Sequence, residues 1–452
     1  MLDYHSLMTI SIFSLTIFVM VWMSGRVNET IPTVIGASLF LLLGVVPLTD
    51  LFDIFNMVSG PSITILSSIV MSIVLESIGF FNWVAYNLVN KAKGSGIRLF
   101  IYVNLLCYLM TLFFNNDGSI LITTPIIIKT VNMLNLKSHQ KVAFLLPGAI
   151  TATTSSAPIA ISNIANLIAL EIIGLDLNNY VTLMFVPSMI GILTTVILLF
   201  FYFKKDIPKT LPDLYLTMRN YQRKSRSYPH PLSNRTVDTK VDWTMFKICM
   251  VVIVLTRGAF FLITPLGVPL EVIAIVGAIA LIAIRWSRKG TGVKDVFQKT
   301  PWHILLFAFS MYILVYGLQN IGLTSILVEN LSTLVHSDRF YAIMTMGGLL
   351  TVLSNIFNNL PAVMIGTLTL TEMGLDPHTL QVTYLANILG SDIGALLTPA
   401  GTLATLLWMY ILKEHSIHVS WKTYIKAAIV TIPIGLLVSL ISLYLWSNWV
   451  FS

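Results

Sequence analysis

Apolar stretches long enough to cross a membrane recur along the whole chain. They lie near 7–23, 30–48, 61–80, 142–172 and 180–203 in the first half, and near 243–264, 269–286, 302–322, 381–412 and 424–447 in the second. Two more, 98–134 and 340–373, turn at the polar segments 115–118 and 358–361, with arms of about 14–17 residues. A full crossing takes about 20 residues. The pattern predicts an all-α integral membrane protein with about ten transmembrane helices and two re-entrant hairpins.

An internal duplication relates the two halves. Residues 76–124 align without a gap onto residues 319–367, with ten identities in forty-nine positions. The identities include the hairpin turns themselves, Phe114-Asn115-Asn116 and Phe357-Asn358-Asn359. Five crossings per half is an odd number, so the second half is expected to be inverted relative to the first. We predict two inverted repeats with broken helices, 1–203 and 243–452, and a solute site at their interface, as in secondary transporters.

Composition agrees with a membrane protein, since 56% of the residues are hydrophobic and only 10% are charged. The first apolar stretch lacks a basic segment before it and a cleavage pattern after it, so we expect a retained span rather than a signal peptide. Cys107 and Cys249, the only cysteines, both lie in apolar runs. We predict no metal site and no cofactor. No motif for ATP binding or hydrolytic catalysis occurs, so no enzyme activity is expected.

Charge predicts the orientation in the plasma membrane. With the N-terminus outside, the inner loops carry thirteen basic residues: Arg26, Lys91, Lys93, Arg98, Lys137, Lys141, Arg285, Arg288, Lys289, Lys294, Lys299, Lys413 and Lys422. The outer segments carry Asp3, Asp50, Asp53, Asp176, Glu329, Asp338 and Asp376, with Arg339 as their one basic residue. An excess of Lys and Arg in the cytoplasmic loops over the external loops is typical of membrane proteins. Both termini are therefore predicted outside.

The one long polar stretch, 204–242, is predicted to be a cytoplasmic linker between the repeats. It holds nine Lys or Arg residues against four Asp residues, with several prolines. A solvated tether that touches anionic lipid explains this composition. Docking of a partner protein is the alternative.

Four irregular polar segments, two per repeat, interrupt the apolar pattern at 114–118, 157–166, 354–361 and 390–402. Pro and Gly break helices there and free backbone groups that need partners inside a membrane. Asn and Ser or Thr can both donate and accept hydrogen bonds, which suits a neutral hydroxyl-rich solute or an ion. We predict that one polar chamber is lined by Asn115, Asn116, Ser162, Asn163, Asn166, Asn358, Asn359, Thr398, Gly401 and Thr402. Four ordinary kinks, with the polar side chains as caps, are the alternative.

Asp117 and Asp392 are the acids nearest these breaks. An acid at membrane depth is a functional candidate, and both are predicted to couple transport to protons. A cap for the second arm of the hairpin is the alternative for Asp117. For Arg257, inside an apolar run, snorkelling or a structural pair is favoured. For His303, at the end of a span, a solvated role is expected.

These motifs resemble those of the bacterial arsenite efflux permeases, within the ion transporter superfamily. The resemblance is carried by 113–118 (Phe-Phe-Asn-Asn-Asp-Gly), by 354–361 (Ser-Asn-Ile-Phe-Asn-Asn-Leu-Pro), and by 386–394 leading to Thr398-Pro399-Ala400-Gly401-Thr402. It runs in the same order over nearly the whole chain. The chain differs from the family pattern at Ser391, Ala395 and Leu396, where the family has Cys, Pro and Lys.

The resemblance implies export of trivalent arsenic or antimony as the neutral hydroxide, by proton antiport, with a cytosolic arsenite-stimulated ATPase subunit in some members. The expected partners are therefore arsenite or antimonite, protons, the lipid bilayer and such a subunit, with no nucleic acid. A Na⁺/H⁺ antiporter or a small-carboxylate transporter of the same superfamily is the nearest alternative. An intramembrane aspartyl protease, which would use Asp117 and Asp392, is a remote one.

Overall fold

The computed structural model describes residues 4–23, 28–211, 242–289 and 293–452. The described part is all-helical, and two residues, Ser95 and Thr210, form an isolated β-bridge. The first half contains α1 (Tyr4–Trp22), α2 (Thr30–Leu42), α3 (Leu51–Ser77), α4 (Phe80–Ala92), α5 (Gly96–Phe113), α6 (Asn116–Met133), α7 (Ser138–Thr154), α8 (Ile164–Ile173) and α9 (Leu177–Phe203).

The second half repeats this order. It contains α10 (Trp243–Leu262), α11 (Leu270–Lys289), α12 (Lys294–Lys299), α13 (His303–Asn320), α14 (Leu323–Ser337), α15 (Arg339–Phe357), α16 (Asn359–Glu372), α17 (Pro377–Asp392), α18 (Leu403–Glu414) and α19 (Trp421–Val450). Only the short α12 has no counterpart in the first half, within the described ranges.

The duplication is visible in the backbone and in the packing. Gly79 and Gly322, identical in the alignment, precede α4 and α14 with φ of 81° and 83°. In that left-handed region glycine has no steric penalty. Between the halves, α2 packs on α13 and α3 on α11, α6 packs on α18 and α16 on α8, and α9 packs on α19. The contacts therefore come in pairs related by the duplication: α2 on α13 corresponds to α11 on α3, α6 on α18 corresponds to α16 on α8, and α9 and α19 are counterparts of each other.

Both hairpins break at the predicted asparagines. Between α5 and α6, Asn115 is extended, and its Oδ1 accepts a hydrogen bond from the backbone N–H of Gly118 at 2.6 Å. Asn115, rather than Asp117, thus caps the second arm. Between α15 and α16, Asn358 has φ of 79° and ψ of 156°, a strained backbone region that is otherwise essentially limited to glycine.

Ten helices of the described part are long and apolar enough to cross a membrane, which agrees with the predicted number, although the set differs. The arms α5 and α15, with 18 and 19 residues, are among them, and α6 also has 18 residues. The expectation of 14–17 residues was therefore too short for these three arms. The predicted spans 142–172 and 381–412 are each two helices around an irregular segment, and α2, with 13 residues, falls below the length of a crossing.

The linker begins in contact with the first repeat. The N–H of Leu211 donates to the carbonyl of Gly94 at 2.7 Å, and Ile207 and Leu211 are buried. A side chain at Gly96 would overlap the carbonyl oxygen of Pro208, so the close approach requires glycine there. The start of the linker is therefore anchored to the first repeat through Ile207 and Leu211 rather than being a free tether. Residues 212–241 of the predicted linker lie outside the described residues.

Candidate functional site

A cavity of about 520 Å³ lies where the two halves meet. Its wall comes from equivalent helices of both halves, namely α3 and α13, α6 and α16, and α8 and α18. Both hairpins reach it: Asn116 and Asp117 from the start of α6, and Asn359 from the start of α16. Small-molecule sites typically measure about 300–1,000 Å³, so the volume suits a small solute.

More than half of the lining residues are apolar or aromatic, and the others are polar or charged. The aliphatic and aromatic part comprises Ile65, Ile69, Leu121, Ile164, Ile304, Phe307, Leu360, Leu403, Leu407 and Tyr410. Four amides belong to the wall, those of Asn116, Asn163 and Asn359 and that of Asn28. An apolar wall with a small number of placed polar groups is the usual composition of a binding site for a small molecule.

Asp117 is the acid of the cavity wall at the first hairpin tip. Its backbone N–H donates to Asn116 Oδ1 at 2.8 Å, and no described residue donates a hydrogen bond to its carboxylate. It also lies in the first turn of α6, where the helix dipole favours a negative charge. The carboxylate is therefore open to the cavity and to whatever enters it. Its position in the duplication is taken by Leu360, so the second hairpin tip offers no acid there.

Asp392 is placed quite differently, at the end of α17 and outside the cavity wall. It is fully buried and accepts three hydrogen bonds from the broken helix of the other repeat. Ser156 Oγ and Asn166 Nδ2 donate to its Oδ2 at 2.8 and 2.7 Å, and Asn163 Nδ2 donates to its Oδ1 at 2.8 Å. Three donors around one carboxylate match its ionised form. Asp392 thus ties the two repeats together, immediately behind the chamber.

The break of the second repeat is held by its own hairpin. Asn355 Nδ2 donates to the carbonyl of Gly394 at 2.9 Å, and its Oδ1 accepts from the N–H of Thr398 at 2.8 Å. Asn358 Nδ2 donates to the carbonyl of Ala400 at 3.0 Å. A side chain at Gly401 would overlap the carbonyl of Ala395, which explains the glycine there. These bonds satisfy backbone groups that the broken helix leaves free.

The predicted site residues fall into two groups. Asn116, Asp117, Asn163 and Asn359 line the cavity, whereas Asn115, Ser162, Asn166, Asn358, Thr398, Gly401, Thr402 and Asp392 do not. The second group shapes the breaks: for example, Thr402 Oγ1 caps α18 by accepting from the N–H of Thr405 at 3.1 Å. Five of its members keep a buried polar atom without a partner among the described residues: Asn115 Nδ2, Ser162 Oγ, Asn166 Oδ1, Asn358 Oδ1 and Thr398 Oγ1.

A polar cluster at another part of the wall is not indicated by the four breaks. It consists of Asn28 and Glu29 just before α2, Lys299 at the end of α12 and His303 at the start of α13. Glu29 Oε1 lies 3.7 Å from His303 Nε2, and Lys299 Nζ lies 3.6 Å from Glu76 Oε2. Because Lys299 is among the predicted inner basic residues, the cluster is on the side assigned to the cytoplasm. We call it the mouth cluster.

One signal in the sequence points to the mouth cluster. Glu29 and Glu271 lie at the start of α2 and of its counterpart α11, 242 positions apart. An acid repeated at the start of the second helix of both halves could have identified Glu29. The solvated role expected for His303 holds only in part, because its ring is 40% exposed yet faces the cavity.

Comparison with known proteins decides the family. The family model described as arsenical pump membrane protein matches residues 8–447. The chain belongs to the arsenical pump membrane protein family. A relative from Bacillus subtilis (strain 168), whose name assigns it to these proteins provisionally, is 47% identical over 97% of this chain and 99% of its own. The arsenical pump membrane protein of Escherichia coli (strain K12) is 32% identical over 94% of this chain and 95% of its own.

A solved structure resembles the fold. The YdaH transporter of Alcanivorax borkumensis, described as having an unusual topology, aligns over 99% of both chains with a TM-score of 0.56 and 12% identity. At that identity the likeness concerns the fold alone. Together with the family match, it identifies this arsenical pump family member as a multi-pass membrane transporter rather than an enzyme.

Proposed function

We propose that this protein exports trivalent arsenic or antimony, as the neutral hydroxide, in exchange for protons. The observation that carries the proposal is that both hairpin tips project into the same cavity, with Asp117 as the acid at one tip. The family match supplies the arsenical substrate. The proton and the form of the solute are inferred from the chemistry of the cavity wall.

The cavity suits a neutral trihydroxide. Each hydroxyl of such a solute can both donate and accept, and an amide side chain offers the same two capacities. Asn116, Asn163 and Asn359 come from three different helices, so the solute is held from both repeats at once. The aliphatic and aromatic side chains of the wall carry no charge, and its charged groups other than Asp117 belong to the mouth cluster.

Asp117 is proposed as the proton carrier. A carboxylate that faces a chamber without a donor from the protein can exchange a proton with water in that chamber. Asp392 is less suited, because its three hydrogen-bond donors hold it outside the cavity wall. In the proposed cycle, Asp117 accepts a proton from the external side and releases it to the cytoplasm through the mouth cluster. The solute leaves the chamber in the opposite direction.

The experiment is arsenite accumulation in everted membrane vesicles with an acidic lumen and a clamped membrane potential. An exchange of one proton per neutral solute lets each pH unit support a concentration ratio of about ten, since 1.4 kcal/mol corresponds to tenfold. ATP is left out, so that accumulation does not depend on a cytosolic ATPase subunit. We expect accumulation in the wild type and its collapse when a protonophore dissipates the gradient.

The Asp117→Asn variant is the matched test, because it keeps the shape of the side chain and removes the exchangeable proton. It should equilibrate arsenite across the membrane but should not accumulate it. Uphill accumulation by this variant would remove Asp117 from the coupling role. Proton flux that depends on Na⁺, with no arsenite movement in the wild type, would favour a Na⁺/H⁺ antiporter instead.

A further inference from the structure

A buried cation reaches the break of the first hairpin from the other repeat. Arg257 lies on the buried face of α10 beside Thr256 and Phe260, and only 9% of it is accessible. Its Nε donates to the carbonyl of Phe113 at 2.9 Å, and its Nη2 donates to the carbonyl of Phe114 at 2.7 Å. Nη2 also lies 3.2 Å from Ser68 Oγ. The side chain therefore neither snorkels to the membrane surface nor forms a salt bridge with a described acid.

The two carbonyls explain why a guanidinium is stable there. Phe113 is the last residue of α5 and Phe114 follows it, so their carbonyls belong to the end of the helix that has no intrahelical partners. That end carries the negative pole of the helix dipole, roughly half an elementary charge. A charged residue at membrane depth is costly unless it is paired. Arg257 is paired with the two carbonyls at the hairpin break and with Ser68 Oγ.

At the second hairpin break, no described cation takes the place that Arg257 has at the first. There Phe357, the counterpart of Phe114, packs edge-on against Phe13 of α1, with ring centroids 5.5 Å apart. α1 and α10 are the first helices of the two repeats, so each reaches across to the hairpin of the other repeat. The first hairpin break is held by the guanidinium of Arg257, and the second is held by the aromatic contact between Phe13 and Phe357. The break held by Arg257 is the one next to Asp117.

We propose that Arg257 is a positioning residue that anchors the first hairpin break, so that Asn116 and Asp117 face the chamber. Its charge also makes the two tips electrically unequal. At the first tip the negative end of α5 is masked, and the positive end of α6 is presented to the solute. At the second tip no described cation masks the end of α15. The transport readout of this inference rests on the proposed function, whereas its structural readout does not.

The structural readout is thiol labelling of Asn116→Cys and Asn359→Cys by a membrane-impermeant maleimide. The native Cys107 and Cys249 are fully buried, so the unsubstituted protein gives the background. Each cysteine is combined with Arg257→Met, which removes the charge and the donors at similar length, and with Arg257→Lys, which keeps a cation. Lys247→Met is the matched control, because it removes an exposed charge from the same helix.

We expect Arg257→Met to change the labelling rate at position 116 at least threefold while the rate at position 359 stays within twofold. Arg257→Lys should recover part of the difference, and Lys247→Met should match the wild type. Arsenite transport per folded molecule should fall at least tenfold in Arg257→Met. If Arg257→Met fails to reach the membrane, the same comparison is made in Arg257→Lys, where the rate at position 116 alone should shift.

Equal changes at both positions, or no change at either, would overturn the inference, because they would indicate a general loss of packing or no anchor at all. If the wild type moves no arsenite, the proposed function fails, but the labelling comparison still decides the role of Arg257. Wild-type transport by Arg257→Met would also contradict the inference.

Discussion

Replacing Asp392 by Asn tests whether this acid ties the repeats together rather than carrying protons. An amide can keep two of the three bonds, with its oxygen facing Ser156 and Asn166, but its NH₂ group then faces the donor Asn163 Nδ2. A hydrogen bond to a charged group is worth about 1.5–3 kcal/mol and one between neutral groups about 0.5–1.5 kcal/mol. The lost bond costs about 1.5–3 kcal/mol and the two weakened bonds cost about 1–1.5 kcal/mol each, which amounts to about 3.5–6 kcal/mol. Hydrogen-bond energies measured between membrane helices are lower, so we expect Asp392→Asn to lower the free energy of unfolding by about 2–4 kcal/mol.

The assay is unfolding of the purified protein in detergent, followed by tryptophan fluorescence, with Asp117→Asn as the comparison. Asp392→Asn should unfold at clearly lower temperature than the wild type, whereas Asp117→Asn should not. In the double variant Asn163→Asp with Asp392→Asn, the donor and acceptor of one bond are exchanged, and part of the stability should return. Unchanged unfolding of Asp392→Asn would refute the bridging role, and so would a double variant no better than the single one.

Three further outcomes follow from the structure. Asp117→Asn should abolish uphill arsenite accumulation and leave downhill equilibration, as measured by arsenic content of vesicles with and without a pH gradient. Glu29→Gln, in the mouth cluster, should slow arsenite uptake severalfold but reach the same final accumulation ratio; loss of accumulation would mean that Glu29 shares the coupling role. Gly435→Val should lower the folded yield at least threefold, because a side chain there overlaps Thr195 Oγ1 across α9 and α19; Thr195→Ala should restore part of the yield measured by size-exclusion chromatography.

The fold could be predicted well from the sequence because membrane helices are recognisable by the length and composition of their apolar stretches. The duplicated hairpin turns were equally readable, since Asn115 and Asn358 interrupt apolar runs at matched positions. The helix ends inside the irregular segments were harder to predict than the hairpin turns. The breaks inside the spans 142–172 and 381–412 were predicted from their Pro, Gly and polar residues, but the sequence does not show which distant side chains satisfy the freed backbone groups, such as Tyr180 for Ala157.

The candidate site was predicted only in part, because a polar residue near a break can face the chamber or hold the break. Asn116 and Asn359 line the cavity, while their neighbours Asn115 and Asn358 bond to backbone instead. One position along a helix turns a side chain by about 100°, and the aligned sequence does not show which face is inward. Arg257 depends on a contact across the repeats, 143 positions away from Phe114, which no local pattern reveals.

The central claim is that one chamber between the hairpin tips exchanges an arsenical solute for a proton on Asp117. Proteoliposomes with a pH-sensitive dye inside, and no preset pH gradient, test it most directly. An arsenite gradient imposed across the membrane should move protons in the opposite direction in the wild type and not in Asp117→Asn. Arsenite movement by the wild type without any proton movement would contradict the account.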